Sequence, residues 1–467
     1  MDLPHDALMT GGDAVFSVNP ANGKMIARYP YLSEAELDRS LTAAVSGQRA
    51  WADLPVDARA RTIAALAGVL RRDVHELASI ATAEMGKPIT QARAEVEKCA
   101  AMCDWYAAHG EAILHDEKTQ IGEQAYVSWL PIGVILAVMP WNFPYWQVLR
   151  GAIPILAGGN GYLLKHAPNV MGCAYALARR FDEVGLPRGA FTAVNLTNDL
   201  VSAALRDRRI AALTVTGSAR AGATLAAQAG AALKKSVLEL GGSDPFIVLA
   251  DADLDAAVKA AVTARFQNTG QICIAATRII VEAPVMEAFT ERFVNAVDAL
   301  KVGDPLDEQV YLGPMARADL REQLNRQVEA SIAQGARSLR GGHRMEGPGN
   351  YYAPTVLADV QPGMTVFTQE TFGPVASLIE SRDADHAIDL ANDSEFGLSG
   401  ALWTRNSTLA KKLARRIETG GVFINGFPAS DPRVPIGGVK KSGYGRDLSY
   451  FGVLEFMNAQ TVWFDRR

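Results

Sequence analysis

Two short segments carry the residue types that covalent chemistry on a carbonyl group requires. Residues 238–245 place the lone carboxylate of Glu239 in an apolar, strand-like run that stops at a Gly-Gly pair. Residues 268–273 place Cys273 directly after a polar turn that contains glycine. An apolar setting raises the pKa of a carboxylate, so Glu239 can act as a base near neutral pH. Free backbone N–H groups near such a turn can stabilise a thiolate, which makes Cys273 a candidate nucleophile.

Simpler interpretations exist for both residues. Most cysteines are small, buried hydrophobic residues. The other three cysteines fit that description because they lie in alanine-rich helical patterns: Cys99, Cys103 and Cys173. Cys273 differs because four polar or glycine residues precede it. For Glu239 the alternative is a structural salt bridge with Lys234 or Lys235.

An asparagine between two prolines is a candidate for stabilising an oxyanion. Residues 140–145 read Pro-Trp-Asn-Phe-Pro-Tyr and follow a strand that ends at Met139. The prolines restrict the backbone on both sides of Asn142, so its amide is held rigidly. An amide donates hydrogen bonds without changing charge, and one such donor contributes roughly 3–4 kcal/mol to an oxyanion site. The alternative is that Asn142 caps the helix that follows.

A strand-to-helix turn at residues 216–222 is a candidate for phosphate binding. Its small residues, including Gly217 and Ser218, allow a phosphate to approach the free N–H groups at the helix start. An ordinary turn is the alternative, and the Gly-x-Gly-x-x-Gly dinucleotide motif is absent. Lys165, which closes the preceding strand, is expected to reach ribose hydroxyls or a phosphate unless it is simply solvated.

Two further loops are rich in glycine and proline. They cover residues 370–375, which include Glu370 and Phe372, and residues 435–446. Such loops are usually plain turns, but two of them in one chain indicate walls around a ligand.

The elements that must position these residues alternate between helix and strand. Helical periodicity runs over residues 34–80 and 84–109. Strands are predicted at 134–138, 161–165 and 212–216, and helices at 145–156, 171–183 and 200–206. A second series follows, with strands at 246–249 and 277–281 and helices at 253–266 and 284–300. This alternation predicts two doubly wound α/β domains that meet near residue 240, and residues 459–464 read as an exposed strand.

Composition bounds the class of protein. The 467 residues are 49% hydrophobic and 21% charged, with a formal net charge of −5. This mild acidity gives no reason to expect nucleic acid or a membrane as a partner. Four cysteines without a Cys-x-x-Cys pair argue against a disulfide framework or a metal site. The first residues lack the features of a secretory signal, so we expect a cytoplasmic location.

Together and in this order, these segments resemble the aldehyde dehydrogenase superfamily from about residue 16 to the C-terminus. The resemblance implies a Cys273 thiolate nucleophile, an oxyanion donor at Asn142 and a general base at Glu239. It implies NAD or NADP as cofactor, with contacts from Trp141, Lys165, Gly217, Ser218, Glu370 and Phe372.

The resemblance also implies a domain division. Residues 1–119 and 132–240 would form the dinucleotide-binding domain, and residues 241–445 the catalytic domain. Residues 120–131 and 446–467 would form a small β element for assembly into a homodimer or homotetramer.

Within the superfamily, residues 165–170 and 239–245 look most like the short bacterial succinate-semialdehyde dehydrogenases. That subfamily has an arginine for the substrate carboxylate eight residues after the asparagine, which is Arg150 here. An arginine can bind a carboxylate through two hydrogen bonds. A helix-surface ion pair is the alternative role for Arg150. Ser430 and Arg433 are further candidates for the same carboxylate.

Three positions depart from the pattern of relatives. Gln267 stands where many relatives have a second arginine for the substrate acid. Ala275 replaces the second cysteine of a redox-switch disulfide. Pro168 replaces the glutamate that binds the ribose 2′-hydroxyl in strict NAD users, so no carboxylate repels a 2′-phosphate and NADP is expected alongside NAD.

The expected function is oxidation of succinate semialdehyde, or a similar semialdehyde, through a thioester on Cys273 that Glu239 helps to hydrolyse. A broader specificity for glutarate semialdehyde or unsubstituted aldehydes is the alternative. Transfer of the acyl group to coenzyme A is disfavoured because members of that branch often lack the base. A binding protein without catalysis is disfavoured because Cys273, Glu239 and Asn142 are all present.

Overall fold

Two large sheets and three small ones are present in the computed structural model, which describes residues 10–465. The predicted fold class, two α/β domains with an additional small β element, is confirmed. A short three-stranded sheet comes first in the chain: β1 (Thr10–Gly11), β2 (Ala14–Val18) and β3 (Met25–Pro30).

The first large sheet has six strands. They are β6 (Val134–Val138), β7 (Gly161–Lys165), β8 (Phe191–Ala193), β9 (Ile210–Thr216), β10 (Lys235–Glu239) and β20 (Gly443–Tyr444). Their order is β20-β10-β9-β6-β7-β8, and all except β20 run parallel. The three strands predicted between residues 134 and 216 are therefore confirmed. The antiparallel edge strand β20 was expected in the catalytic domain, yet it pairs with β10.

Eight helices precede these strands or lie between them. They are α1 (Glu34–Ala52), α2 (Val56–Arg72), α3 (Val74–Met85), α4 (Ile89–Ile113), α5 (Trp146–Ala157), α6 (Met171–Glu183), α7 (Asn198–Arg206) and α8 (Ala219–Ala231). They cover both faces of the sheet, which explains why its central strands are apolar at nearly every position.

One predicted helix boundary is wrong. The helix expected over residues 84–109 begins at Ile89, and the residues just before it end α3 instead. Gly86 adopts φ 77°, a left-handed conformation that ends the preceding helix. Pro88 then takes the N-cap position of α4, where its missing N–H is not needed.

The second large sheet has seven strands. They are β11 (Asp244–Val248), β12 (Ala276–Glu282), β13 (Arg337–Arg340), β14 (Thr355–Ala358), β15 (Val375–Ser381), β17 (Gly400–Trp403) and β18 (Val422–Ile424). Their order is β13-β14-β15-β12-β11-β17-β18. The helices of this part are α9 (Leu254–Phe266), α10 (Ala283–Asp298), α11 (Ala318–Ala333), α12 (Thr365–Thr368), α13 (Ala384–Asn392) and α14 (Ser407–Ala414). A two-stranded pair joins β16 (Phe396–Gly397) and β19 (Val439–Lys440).

The small sheet contains the C-terminal strand. It joins β4 (Glu117–Thr119), β5 (Gly122–Pro131) and β21 (Met457–Trp463), all antiparallel. Residues 446–456 were expected in this element, but α15 (Ser449–Leu454) packs on α5 instead. Leu448, Val453 and Phe456 belong to the core of the first domain.

The carboxyl ends of the parallel strands carry most of the candidate residues. The chain moves from β6 to β7 and β8 on one side and returns to β9 and β10 on the other, so the strand order reverses beside β6. Ligands of open α/β sheets bind at the carboxyl ends of strands where the order reverses. Within residues 10–465, no helix is both long and apolar enough to cross a membrane.

Candidate active site

Cys273 follows a tightly constrained turn between α9 and β12. The turn is a 3-10 helix, Gln267–Gly270, in which three successive residues have positive φ: Asn268 at 53°, Thr269 at 55° and Gly270 at 71°. Left-handed backbone is costly for residues other than glycine and persists only where surrounding contacts enforce it. This strain indicates that the position of Cys273 is imposed by the fold.

Buried hydrogen bonds hold the turn. The backbone N–H of Asn268 donates to Oε1 of Gln91 at 2.7 Å, and the guanidinium of Arg265 donates to the carbonyl of Gly270 at 2.7 Å. Arg265 is completely buried and also donates to the carbonyl of Gly373. The nucleophile loop is therefore tied both to α4 and to the loop that carries Glu370.

Asn142 lies against this turn. Its Nδ2 donates to the carbonyl of Gln271 at 3.0 Å, and its backbone carbonyl accepts from Nδ2 of Asn268 at 2.8 Å. One amide hydrogen of Asn142 is thus committed to fixing the amide plane. The second hydrogen of this amide has no acceptor among residues 10–465, and Asn142 lines the same cleft as Cys273.

Glu239 is the last residue of β10 and is 3% exposed. Burial raises the pKa of its carboxyl group to about 8, and Arg150 opposes part of this rise. The Nη2 atom of Arg150 lies 3.7 Å from Oε2 of Glu239, and its Nε lies 3.0 Å from Oδ2 of Asp447. A raised pKa matches the demands on a general base near neutral pH, as the sequence predicted.

The alternative ion pair for Glu239 involved Lys234 or Lys235, and neither lysine makes it. Nζ of Lys234 donates to two backbone carbonyls, and Lys235 pairs with Glu455 at 2.8 Å. The ion-pair partner of Glu239 is Arg150, which is distant in sequence and could not be predicted from the residues around position 239.

The surroundings of Cys273 favour the protonated thiol. Burial raises its pKa to about 12, and three carboxyl groups add to the rise: Glu239, Glu370 and Asp244. Arg150 acts in the opposite direction. The polar turn before Cys273 predicts that nearby backbone N–H groups favour the thiolate, but burial of the thiol outweighs them here. Thiolate formation therefore needs either a proton acceptor or a positive charge delivered to the cleft.

A first cleft opens beside Cys273 at the carboxyl ends of β6, β9 and β10. Its wall contains the three predicted catalytic residues, Cys273, Glu239 and Asn142. It also contains five of the six predicted cofactor contacts: Trp141, Gly217, Ser218, Glu370 and Phe372. Trp141 and Phe372 meet edge to face with their ring centroids 5.7 Å apart. The structure thus brings together eight residues that the sequence had assigned to one site.

The start of α8 suits a phosphate. A Cβ at Gly217 would meet no atom within 4 Å, so the space in front of the helix is open. Ser218 caps α8 by accepting a hydrogen bond from the N–H of Ala221. The helix dipole favours negative charge at this end of α8.

Glu370 closes the opposite side of the first cleft. Its Oε1 accepts a hydrogen bond from the N–H of Gly242 at 3.1 Å, and burial raises its pKa to about 7. A Cβ at Gly241 would lie 2.3 Å from Oε2 of Glu370, so any larger residue at this position would displace the Glu370 carboxylate. A Cβ at Gly242 would lie 2.5 Å from the backbone carbonyl oxygen of Cys273, so glycine at this position permits the close approach of the loop that carries the thiol.

Lys165 closes β7 and is not among the residues that line the first cleft. Burial lowers its pKa, and it makes no ion pair among residues 10–465. Pro168, three residues later, opens a 3-10 turn, Pro168–Val170, at the same end of the strand. No side chain of that turn carries a negative charge.

A second cleft meets the first one at Cys273 and Gln147, which line both. Its wall contains residues of α4, α5 and the loop after β18, including Lys98, Arg150, Gln267 and Ser430. Of the three predicted substrate contacts, Arg150 and Ser430 reach this cleft. Arg433 is not in its wall; the side chain is 74% exposed and pairs with Asp431 at 2.8 Å.

Comparison with known proteins identifies this arrangement. The model of the aldehyde dehydrogenase family matches residues 9–462. The chain belongs to the aldehyde dehydrogenase family.

Relatives cover nearly the whole length of this aldehyde dehydrogenase. The chain is 57% identical over 98% of its length to a succinate semialdehyde dehydrogenase (NAD(P)+) of Escherichia coli strain K12, and the match covers 99% of that protein. It is 44% identical over 96% of its length to an NADP+ succinate-semialdehyde dehydrogenase of Mycobacterium avium strain 104, of which 96% is covered. The solved structure of succinic semialdehyde dehydrogenase from Streptococcus pyogenes with NADP+ superposes with a TM-score of 0.94 at 34% identity, covering 97% of this chain and 100% of the other.

Some residues of the site were not found from the sequence. Gln91, Arg265 and Asn268 hold the nucleophile loop, and Asp447 pairs with Arg150. Only Asn268 lay in a segment that the motifs singled out. Among residues 10–465, no group of three or more His, Cys, Asp or Glu side chains is arranged to hold a metal ion.

Proposed function

We propose that this aldehyde dehydrogenase oxidises succinate semialdehyde to succinate with NAD+ or NADP+. The observation that carries the proposal is the junction of the two clefts at Cys273, with Asn142 and Glu239 in the wall of the first and two cations in the wall of the second. Identity of 57% to a succinate semialdehyde dehydrogenase over nearly the whole chain supports the same substrate.

The first cleft fits a nicotinamide dinucleotide. The open space at Gly217 and the N–H groups at the start of α8 would take the pyrophosphate. Trp141 and Phe372 would border the nicotinamide end, and Glu370 offers a carboxylate for its ribose. Lys165 would contact the adenosine end of the dinucleotide. When bound, the oxidised nicotinamide supplies a hydride acceptor and a positive charge.

The reaction begins at the sulfur of Cys273. The S–C bond forms as the thiol adds to the aldehyde carbon, and the proton of the thiol passes to Glu239 or to water. The former carbonyl oxygen becomes an oxyanion, and the free amide hydrogen of Asn142 donates to it. Loss of hydride from the same carbon leaves a thioester on Cys273.

Hydrolysis completes the cycle. If Glu239 received the thiol proton, it first releases that proton to solvent. Glu239 then takes a proton from a water molecule as the water oxygen attacks the thioester carbon, and the C–S bond breaks. The acid leaves, and Cys273 regains a proton. Overall, aldehyde, water and oxidised cofactor give acid, reduced cofactor and one proton. Transfer to coenzyme A would make the buried base at Glu239 unnecessary.

Initial rates of cofactor reduction test the substrate. Succinate semialdehyde and butanal have the same chain length and differ in the terminal carboxylate. We expect succinate semialdehyde to give a kcat/KM at least tenfold higher, with either NAD+ or NADP+. Equal efficiency on butanal would contradict the proposal and favour the broader specificity. Replacement of Cys273 by alanine serves as the control and removes the activity on both aldehydes.

The small sheet supports assembly into a homo-oligomer. Strand β21 pairs with β5 on one edge only, and most of its side chains are exposed. Trp463 and Phe464 are 54% and 55% exposed beside that edge. An unpaired edge with large apolar side chains favours pairing with a second copy. Sedimentation analysis before and after replacing Trp463 by lysine tests this proposal.

The cytoplasmic location stays a prediction.

A further inference from the structure

Lys98 is a cation in the wall of the second cleft that no sequence motif indicated. It lies on α4, seven residues after Gln91, so both side chains lie on the same face of the helix. Its Nζ donates to Oγ of Ser430 at 2.8 Å and lies 4.0 Å from the centroid of the Trp146 ring. Both contacts orient the ammonium group, but neither partner carries a charge.

No carboxylate neutralises Lys98 among residues 10–465, since it takes part in no ion pair there. Two carboxylates attract it from a distance, and both are held elsewhere. Glu95 is paired with Lys87 and accepts the N–H groups of Tyr145 and Trp146. Asp431 is paired through both oxygens with Arg433.

Arg150, the other cation of this cleft, is already compensated. It lies beside Glu239 and Asp447 and donates to Oγ1 of Thr216. Withdrawing Arg150 from these carboxylates to bind a substrate acid would leave two buried acids without a counterion. Lys98 can bind an anion without breaking any ion pair.

We propose that Lys98, with Ser430 as second donor, binds the terminal carboxylate of the substrate. The inference rests on the proposed function and names the group that selects an acid-bearing aldehyde. Ser430 accepts the hydrogen bond from Lys98 through its oxygen, which leaves the hydroxyl hydrogen for the carboxylate. A charge-assisted pair in a partly desolvated cleft then distinguishes a semialdehyde from an unsubstituted aldehyde.

Substitution of Lys98 by methionine tests this assignment, because methionine keeps the apolar stem and removes the charge. We expect kcat/KM for succinate semialdehyde to fall roughly 10- to 100-fold, the size of a lost hydrogen bond to a charged group. For butanal the change is expected to stay below about threefold, since no charged contact is lost. Lys98→Arg should restore part of the efficiency on the semialdehyde. Lys259→Met, at an exposed lysine of α9, is the matched control and should change neither rate.

The pH dependence of the wild-type protein gives an independent measurement. Burial lowers the pKa of Lys98 to about 8. The groups that face it are Glu95 and Cys99 on α4, Arg150 on α5 and Asp431 in the loop after β18. Burial keeps Cys99 protonated, and the arginine stays charged. The ratio of kcat/KM for succinate semialdehyde to that for butanal should therefore fall above pH 8, as Lys98 loses its proton, and should be constant well below pH 8.

The outcomes separate the two proposals. If the wild-type protein uses butanal as well as succinate semialdehyde, the proposed function fails. If it prefers the semialdehyde, but Lys98→Met lowers both efficiencies equally or neither, the function stands and the role of Lys98 is overturned. If the variant does not fold, a pH-independent ratio in the wild type overturns the role, and a ratio that falls above pH 8 supports it.

Discussion

The guanidinium of Arg150 lies 3.7 Å from the carboxylate of Glu239, deep in the protein, where each side chain is at most 3% exposed. The same guanidinium lies 3.0 Å from Asp447. Arg150 therefore belongs to the group that sets the charge and position of the base. Its predicted role as a substrate anchor competes with this pairing.

Replacing Arg150 by methionine should lower the activity on both substrates. Without the guanidinium, the pKa of Glu239 rises further because the charge that stabilises the carboxylate is lost. We expect kcat at pH 7.5 to fall for butanal and for succinate semialdehyde alike. Leaving two buried acids unpaired should also cost about 3–5 kcal/mol of unfolding free energy, which thermal denaturation measures. If kcat fell only for succinate semialdehyde and not for butanal, Arg150 would instead be assigned as a contact of the substrate carboxylate.

Replacing Glu239 by glutamine should separate the two halves of the reaction. The amide keeps the shape of the side chain but cannot take a proton from water, so the thioester accumulates. Stopped-flow absorbance should show a burst of reduced cofactor close to one equivalent per active site. The steady-state rate should then be lower by about 10²- to 10⁴-fold. A variant that turns over at the wild-type rate would refute the assignment of the base.

The rate with butanal should follow the ionisation of Glu239. Because burial raises its pKa to about 8, the carboxylate form is the minority at pH 7 and becomes the majority above pH 8. Where hydrolysis limits turnover, kcat for butanal should rise with pH and level off above about pH 8. This rise should be absent from Glu239→Gln, which has no ionisable group at that position. A kcat that falls between pH 6 and 8 would contradict the assignment.

A glutamate at position 168 should shift the cofactor preference toward NAD+. Pro168 opens the turn after β7, where the side chains carry no negative charge. A carboxylate there would repel a 2′-phosphate and accept a hydrogen bond from a 2′-hydroxyl. We expect KM for NADP+ to rise roughly tenfold or more while KM for NAD+ changes little. Pro168→Gln is the control, because it has the same shape as the glutamate variant but no charge. Equal effects of both variants would exclude the electrostatic explanation.

Local pattern accounts for much of what the sequence predicted. The alternation of short apolar strands with amphipathic helices follows from periodicity, which depends on near neighbours, and most predicted elements appear within a few residues of their observed bounds. The boundary at residues 86–88 was missed because periodicity continues across it. There the left-handed Gly86 and the following Pro88 decide where one helix ends and the next begins.

The residue types of the site could also be predicted from the sequence. Cys273, Asn142 and Glu239 stood out because each lies in a setting unusual for its type, and the structure places all three in the wall of one cleft. By itself the sequence determined the succession of elements and the chemical groups that they carry. Both are encoded over a few consecutive residues.

Tertiary structure alone decided which of those groups meet. Ser430 contacts Lys98 across 332 positions of sequence, and Asp447 reaches Arg150 from the far end of the chain. The strain at Asn268 likewise exists only because α4 and the Glu370 loop hold the turn from outside. Burial and ion pairing depend on distance in space, so only the fold places Arg150 beside Glu239 and leaves Lys98 without an ion pair among residues 10–465.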